Sequence, residues 1–188
     1  MTPDSVLDLF RKTGALLEGH FRLTSGLHSN GYMQCAKVLQ YPAHAEALGA
    51  ALADAVRDLR IDVVLSPALG GLIIGHEVAR GLGVRAIFAE RQDGALTLRR
   101  GFSLDSGERV LIVEDVVTTG GSTRETMVVA RAAGADVVGA SAIINRGGAI
   151  DLGVPFRSLA TVDFPTWPED QVPNWLAAIP VTKPGSRK

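Results

Sequence analysis

Hydrophobic and polar positions alternate in a regular way along most of the chain. Apolar runs typical of buried strands occur at residues 61–66, 84–89, 109–114, 137–145 and 156–162. Helical patterns lie between them at 71–81 and 122–133, and an alanine-rich helix that begins at Pro42 and continues to Leu59 precedes the first run. Strands that alternate with helices predict an α/β fold whose central sheet is mostly parallel and flanked by helices on both faces.

The two ends of the chain follow other patterns. Apolar positions between Asp4 and Leu17 predict a helix capped by Asp4 or Ser5 and weakened at Gly14. Ser-Gly and Asn-Gly pairs within 21–34 predict two short strands joined by turns, and residues 91–108 are compatible with a hairpin. We expect one domain with an N-terminal unit (about 1–40), a core (about 41–162) and an ordered C-terminal segment (163–188).

Composition narrows the class of protein. The chain has 188 residues, of which 46% are hydrophobic and 21% charged, so it can bury one ordinary core. Its net charge of −1 disfavours a nucleic-acid partner. The longest apolar stretch, 63–75, contains Pro67 and is too short to span a membrane. A single cysteine, Cys35, excludes an internal disulfide, and the N-terminus has no signal-peptide pattern, so we expect a cytoplasmic protein.

The clearest chemistry lies between Val110 and Thr123. An apolar strand brings Glu114 and Asp115 to its carboxyl end, where ligands of open α/β sheets bind. In the loop that follows, Gly120 and Gly121 let backbone amides converge, and the next helix adds its partial positive charge. Four hydroxyl side chains add donors: Thr118, Thr119, Ser122 and Thr123. The run therefore predicts a phosphate site without a lysine.

Other phosphate motifs are absent from the sequence. No Gly-Lys pair occurs, which excludes a Walker A loop, and no G-x-G-x-x-G occurs. Glu114 and Asp115 are adjacent on a strand, so they do not face each other as an acid–base pair. They suit vicinal hydroxyls, a hydrated Mg²⁺ or a developing positive charge. Taken alone, the two acids also fit an ordinary solvated strand end.

The same run resembles the phosphoribosyl-diphosphate (PRPP) signature of the type I phosphoribosyltransferases. The resemblance implies that Glu114 and Asp115 hold the ribose hydroxyls and that residues 118–122, the phosphate loop, hold the 5′-phosphate. It also implies that Mg²⁺ is bound through PRPP, with Asp115 as a water-mediated contact, and that the transition state resembles an oxocarbenium ion. The PRPP contacts that it implies are Arg91, Glu114, Asp115, Val116, Val117, Thr118, Thr119, Gly120, Gly121 and Ser122.

Four more features resemble the orotate phosphoribosyltransferases within that family. Residues 21–29 with Tyr32 resemble an N-terminal hood over the base, and residues 66–71 resemble the pyrophosphate loop. Residues 89–91 resemble the start of a mobile catalytic loop. Arg146 matches the arginine that binds the orotate carboxylate, a group that a guanidinium can bind with two hydrogen bonds. The resemblance implies that Thr118, Arg146 and Tyr32 contact orotate, and that the protein is a homodimer.

The chain departs from these enzymes in its cations. Their mobile loop is commonly rich in lysine and contains a histidine, whereas residues 91–101 contain neither. Gly70 and Thr24 stand where lysines are common. Guanidinium groups bind phosphate well, so we expect arginines to supply the missing charge during catalysis. With the two acids, the expected catalytic residues are Glu114, Asp115, Arg91, Arg99 and Arg100.

Two other functions share the PRPP run. A purine phosphoribosyltransferase would use the same loop, but a neutral purine needs no carboxylate partner such as Arg146. A PRPP-sensing regulator that binds DNA or RNA would keep the loop and lose catalytic cations. The net charge of −1 and the lack of an added DNA-binding segment argue against the regulator.

Overall fold

The computed structural model describes residues 1–23 and 25–183. Thr24 and residues 184–188, the end of the expected C-terminal segment, lie outside the described residues. The helices are α1 (Pro3–Lys12), α2 (Ala36–Leu39), α3 (Pro42–Ala55), α4 (Gly71–Leu82), α5 (Gly121–Ala132) and α6 (Asn174–Ala177), with a 3₁₀ turn at Glu169–Gln171. The strands are β1 (Leu16–Arg22), β2 (His28–Met33), β3 (Val63–Pro67), β4 (Arg85–Gln92), β5 (Ala95–Leu98), β6 (Arg109–Val117), β7 (Asp136–Asn145), β8 (Phe156–Thr161), β9 (Thr166–Trp167) and β10 (Val181–Thr182).

A six-stranded sheet forms the centre of the molecule, in the order β5-β4-β3-β6-β7-β8. All neighbouring pairs in it are parallel except β4 and β5, which form an antiparallel hairpin. This confirms the mostly parallel sheet. The hairpin predicted within 91–108 has its turn and second strand there, but its first strand, β4, begins earlier, at Arg85. Because the parallel strands run in one direction, the segments that follow β3, β4, β6, β7 and β8 all emerge at one edge.

Helices bury both faces of this sheet, as the near-continuous apolar strands predict. Along β6, Leu111 and Val113 face a cluster that includes residues of α1, α3 and α4. Val110 and Ile112 face the opposite cluster, which contains Met127 of α5. All of these side chains are at most 2% exposed. The central strand is therefore held rigidly on both sides up to the two acids at its end.

The first helix is shorter than the sequence pattern indicates. The prediction of a helix to Leu17 is wrong: α1 ends at Lys12, Gly14 has φ +64, and β1 begins at Leu16. The helix also begins two or three residues earlier than expected: Thr2 is the N-cap and forms a capping box with Ser5. The last turn fails because a strand takes its place: the amide of Gln34 donates to the carbonyl of Ala15, next to the β1–β2 pair.

Both ends of the chain build a second, four-stranded sheet in the order β10-β1-β2-β9, here called the small sheet. The C-terminal segment is ordered in its described part and supplies β9 and β10. Two buried imidazoles fasten this sheet: His20 lies 2.6 Å from His28 (Nε2 to Nδ1), and His20 Nδ1 donates to the carbonyl of Ile179 at 3.0 Å. The two histidines thus join β1 and β2 to the segment that precedes β10.

Membrane-spanning character is not found in the described residues: none of their helices is both long enough and apolar enough to cross a bilayer.

Candidate active site

The carboxyl edge of the large sheet brings together the predicted acids, the phosphate loop and Arg146. Strand β6 is followed by the phosphate loop, its neighbour β3 by the segment 68–70, and its other neighbour β7 by Arg146. The amide of Arg146 donates to the carbonyl of Val117 at 2.7 Å, so the pairing of β6 and β7 continues into the site. The small sheet adds Tyr32 from β2.

The two acids at the end of β6 are kept largely out of water. Glu114 is 7% exposed, and burial, followed by the negative charge of Asp115, raises its pKa from 4.5 to about 9. Burial also raises the pKa of Asp115, although the amide of Val116 donates to its carboxyl at 2.8 Å. This pair is costly to ionise without a cation or hydrogen-bond donors nearby. It is therefore suited to a polar, hydroxylated ligand that carries or develops positive charge.

Gly70 lies directly against this acidic pair. A Cβ built on it would lie 2.8 Å from Oδ1 of Asp115, closer than real side chains come. Any side chain at this position would have to displace either its own loop or the carboxyl group. Gly70 is therefore matched to the packing of this loop.

The phosphate loop is held open by the residues behind it. Gly120 has φ +77, a conformation that favours glycine, and it lies just before the first residue of α5. Arg124 of α5 donates to the carbonyl of Thr119 at 2.6 Å and to that of Asp151 at 2.8 Å. The amides at the start of α5 have no partner within the helix, and the side chains of Thr118, Thr119 and Ser122 are exposed. These groups can surround a phosphate.

A tight turn after β7 supports the loop from the other side. Asn145 accepts from the amide of Gly147 at 2.9 Å and donates to the carbonyl of Gly148 at 2.7 Å. A Cβ on Gly147 would lie only 1.8 Å from the carbonyl oxygen of Thr118. The turn that carries Arg146 therefore rests on the first residue of the phosphate loop, and the two parts of the site share one support.

Tyr32 lies close enough to both Asp115 and Arg146 for their charges to act on its hydroxyl group. Burial, followed by the charge of Asp115, raises the pKa of Tyr32, and the charge of Arg146 opposes that rise. Burial also lowers the pKa of Arg146, whose side chain forms no hydrogen bond or ion pair with the described residues. Its buried Nε lacks a partner. An unpaired, half-buried guanidinium next to an aromatic hydroxyl is suited to a planar anionic ligand.

The loop arginines are not gathered around the acids. Arg91 pairs with Glu125 at 2.6 Å, and Arg100 binds Glu90 through two hydrogen bonds of 2.8 Å. Arg100 also lies over the ring of Phe88 and has φ +57. Arg99 forms no ion pair with any described residue, although its charge helps to lower the pKa of Glu90, after the hydrogen bond from Arg100.

A metal site made by side chains alone is not found: the described residues contain no group of three or more His, Cys, Asp or Glu side chains that could hold an ion. The acid pair fits Mg²⁺ in a different way. Carboxylate oxygens are ligands of the kind that Mg²⁺ takes, and Mg²⁺ usually keeps several waters and shares phosphate oxygens with a substrate. An ion held largely by its substrate, with Asp115 as an outer contact, agrees with this arrangement.

The sequence did not point to Phe164. This residue follows β8, the neighbour of β7, and its ring lies 4.9 Å from the guanidinium carbon of Arg146. The sequence does place an aromatic residue just after the strand predicted at 156–162. The segment that follows this strand has no periodicity, however, so the sequence does not predict where its side chains point.

Known proteins match this fold and site. A family model described as the phosphoribosyl transferase domain matches residues 35–152. An orotate phosphoribosyltransferase of Pelotomaculum thermopropionicum is 53% identical over all of both chains, and one of Erythrobacter litoralis is 55% identical over all of this chain and 99% of that one. The crystal structure of orotate phosphoribosyltransferase from Aeropyrum pernix aligns with TM-score 0.71 and 27% identity, covering 84% of this chain and 93% of that one.

The fold and the phosphate loop define a phosphoribosyl transferase. The full-length relatives narrow the class: the chain belongs to the orotate phosphoribosyltransferase family. The predicted α/β class and both steps of the resemblance are thereby confirmed. An adenine phosphoribosyltransferase of Thermoanaerobacter pseudethanolicus aligns with TM-score 0.61 at 19% identity, covering 70% of this chain and 88% of that one, which shows a shared fold only.

The contact between Gly147 and Thr118 gives a first prediction. Gly147→Ala should weaken the binding of inorganic phosphate at least about tenfold, because the methyl group forces the carbonyl of Thr118, and with it the phosphate loop, to move. Titration calorimetry measures the change. A control in the same turn, Ala149→Ser, is exposed and should bind phosphate normally. Unchanged phosphate affinity in a folded Gly147→Ala protein would contradict the proposed support.

The burial of Glu114 gives a second prediction. Because its folded pKa of about 9 lies above its unfolded value, the fold is stabilised most at low pH, and this contribution is lost as pH rises through the folded pKa. Glu114→Gln removes that titration. As pH rises from about 5 to about 9, the free energy of unfolding of the Glu114→Gln protein should increase by at least about 1 kcal/mol relative to that of the unaltered protein. Urea denaturation in EDTA measures this, with exposed Glu18→Gln as the control, and parallel pH profiles would refute it.

Proposed function

We propose that the chain transfers the 5-phosphoribosyl group of PRPP to orotate, giving orotidine 5′-monophosphate and pyrophosphate. The observation that carries the proposal is the half-buried guanidinium of Arg146, which lies near Tyr32 at the edge that also holds the phosphate loop and whose Nε has no partner among the described residues. The curated relatives named for this activity, about half identical over the full chain, support it.

Different residues at the carboxyl edge of the large sheet bind different parts of PRPP and orotate. The phosphate loop and the start of α5 hold the 5′-phosphate, with Thr118, Thr119 and Ser122 as hydroxyl donors. The carboxyl groups of Glu114 and Asp115 accept from the ribose hydroxyls, and Val116 and Val117 carry the backbone that joins the two parts. Arg146 binds the orotate carboxylate, Tyr32 lies against the base, and Thr118 lies at the boundary between base and phosphate.

Catalysis under this proposal is electrostatic. The bond from the anomeric carbon to pyrophosphate breaks, a ring nitrogen of orotate forms the new bond, and positive charge develops on the ribose in between. Ionised Glu114 and Asp115 stabilise that charge in a site with little water, where electrostatic effects are strong. Mg²⁺, when bound with PRPP, neutralises the leaving pyrophosphate. No nucleophilic side chain is required.

The remaining assignments are part of the same proposal. We infer a homodimer in the cytoplasm, supported by the family resemblance. We also keep the division into a hood (about 1–40), a core (about 41–162) and a C-terminal segment (163–188). Strands β9 and β10, which join the hood strands in the small sheet, link the last part to the first.

A base-selection assay tests the proposal. Purified protein with PRPP and Mg²⁺ is offered orotate, uracil, adenine, hypoxanthine and xanthine separately, and pyrophosphate release is followed. We expect release with orotate alone, and Arg146→Leu should lower kcat/KM for orotate at least about a hundredfold, since a charged hydrogen-bonded pair is lost. Release with a purine would overturn the proposal. PRPP binding without release from any base would favour the regulator.

The ion pairs of the loop separate the roles of its arginines. Arg100 is tied to Glu90 and Phe88 in the hairpin, whereas Arg99 is available for the leaving pyrophosphate. Arg99→Ala should lower kcat at least about tenfold with little loss of stability, because a cation near the transition state is removed. Arg100→Ala should lower the melting temperature as well as kcat. Arg60→Ala, an exposed arginine before the amino end of β3, is the control. Unchanged kcat in Arg99→Ala would refute this role.

A further inference from the structure

Phe164 links the small sheet to Arg146. It lies in the segment that leaves β8 and enters β9, and the amide of Val162 in that segment donates to the carbonyl of Asn145 at 2.9 Å. This hydrogen bond holds the start of the segment beside the turn that carries Arg146. The ring of Phe164 then lies 4.9 Å from the guanidinium carbon, a cation–π distance.

The ring is fixed from its other side by the backbone of β2. A Cβ built on Gly31 would lie 2.5 Å from two atoms of the Phe164 ring, so the ring packs where only a glycine leaves room. Just beyond it, Ser29 donates to the carbonyl of Pro165 at 3.1 Å, and Ser29 pairs with Thr166 in the small sheet. The position of Phe164 is therefore determined by β2, next to Tyr32.

Arg146 depends on this ring for its orientation. Within the described chain its side chain forms neither a hydrogen bond nor an ion pair, and its Nε is buried without a partner. The charge of Asp163 acts on it only as a minor cause, after burial and Tyr32, in the shift of its pKa. A guanidinium that stacks on a ring keeps its N–H groups in the plane free, and a carboxylate binds in that plane.

We propose that Phe164 is a positioning residue that orients Arg146 for the carboxylate of the base, which makes the C-terminal segment a determinant of base specificity. The inference rests on the proposed function. Gly31 supports the same arrangement from behind, so that β2 contributes Tyr32 and, through Gly31, the orientation of Arg146. The chain thereby links recognition of the base to the packing of its two sheets.

Phe164→Leu tests this role, because leucine keeps the apolar packing and removes the aromatic face. We expect KM for orotate to rise about five- to tenfold, with kcat and KM for PRPP changed less than about twofold, because only the carboxylate contact is disturbed. Phe164→Tyr, which keeps the ring, should restore KM for orotate. Phe156→Leu, at the opposite end of β8 and packed in the other cluster, is the matched control and should leave every constant unchanged.

A double-mutant cycle distinguishes positioning from a general structural role. If Phe164 acts through Arg146, Phe164→Leu should change kcat/KM for orotate less than about twofold in an Arg146→Gln protein. Equal losses in both backgrounds, or an equal rise in KM for PRPP, would overturn the inference while leaving orotate turnover, and so the proposed function, intact. If the unaltered protein does not use orotate, the proposed function fails, and this inference fails with it.

Discussion

The burial of two adjacent carboxyl groups at the end of the central strand is the constraint on which the site depends. Apolar clusters pack against both faces of β6 up to Val113, so the strand fixes where the backbone of Glu114 and Asp115 lies. Burial raises the pKa of both groups, and a ligand with hydroxyl donors and positive charge can lower the cost of ionising them. The same crowding explains why glycine stands at position 70. The buried acid pair therefore lowers the stability of the free protein at high pH, and a ligand that favours the ionised carboxylates reduces that loss.

The large sheet was accessible to sequence reasoning because its elements are long and periodic. All five predicted strands of the core and both crossover helices occur within a few residues of their predicted bounds. The errors fall where a short element depends on a distant partner. Residues 16–17 have a helical pattern, but β1 forms there because β2 and β10 pair with it. No local pattern contains that information.

The site was predictable to the extent that one segment carries it. The run from Val110 to Thr123 is contiguous, so its residues could be assigned together. Arg146 and Tyr32 came from resemblance to a family, and the structure brings them to the same edge as Asp115. Phe164 and Arg124 could not be found, since their roles follow from contacts with carbonyl groups, a ring face and a glycine. Such contacts exist only once the chain has folded.

The loop arginines Arg91 and Arg100 are each paired with a carboxylate, which bears on the proposed role of this loop in binding pyrophosphate. Arg91 and Arg100 are balanced by Glu125 and Glu90, so the loop carries little uncompensated charge in the free protein. Exposed ion pairs of this kind contribute only about 0–1 kcal/mol each, so exchanging a carboxylate partner for a phosphate oxygen costs little. Arginine is suited to such an exchange because its fork binds either anion with two hydrogen bonds. The acids that pair with the loop therefore hold its cations in place without competing strongly with a more highly charged ligand.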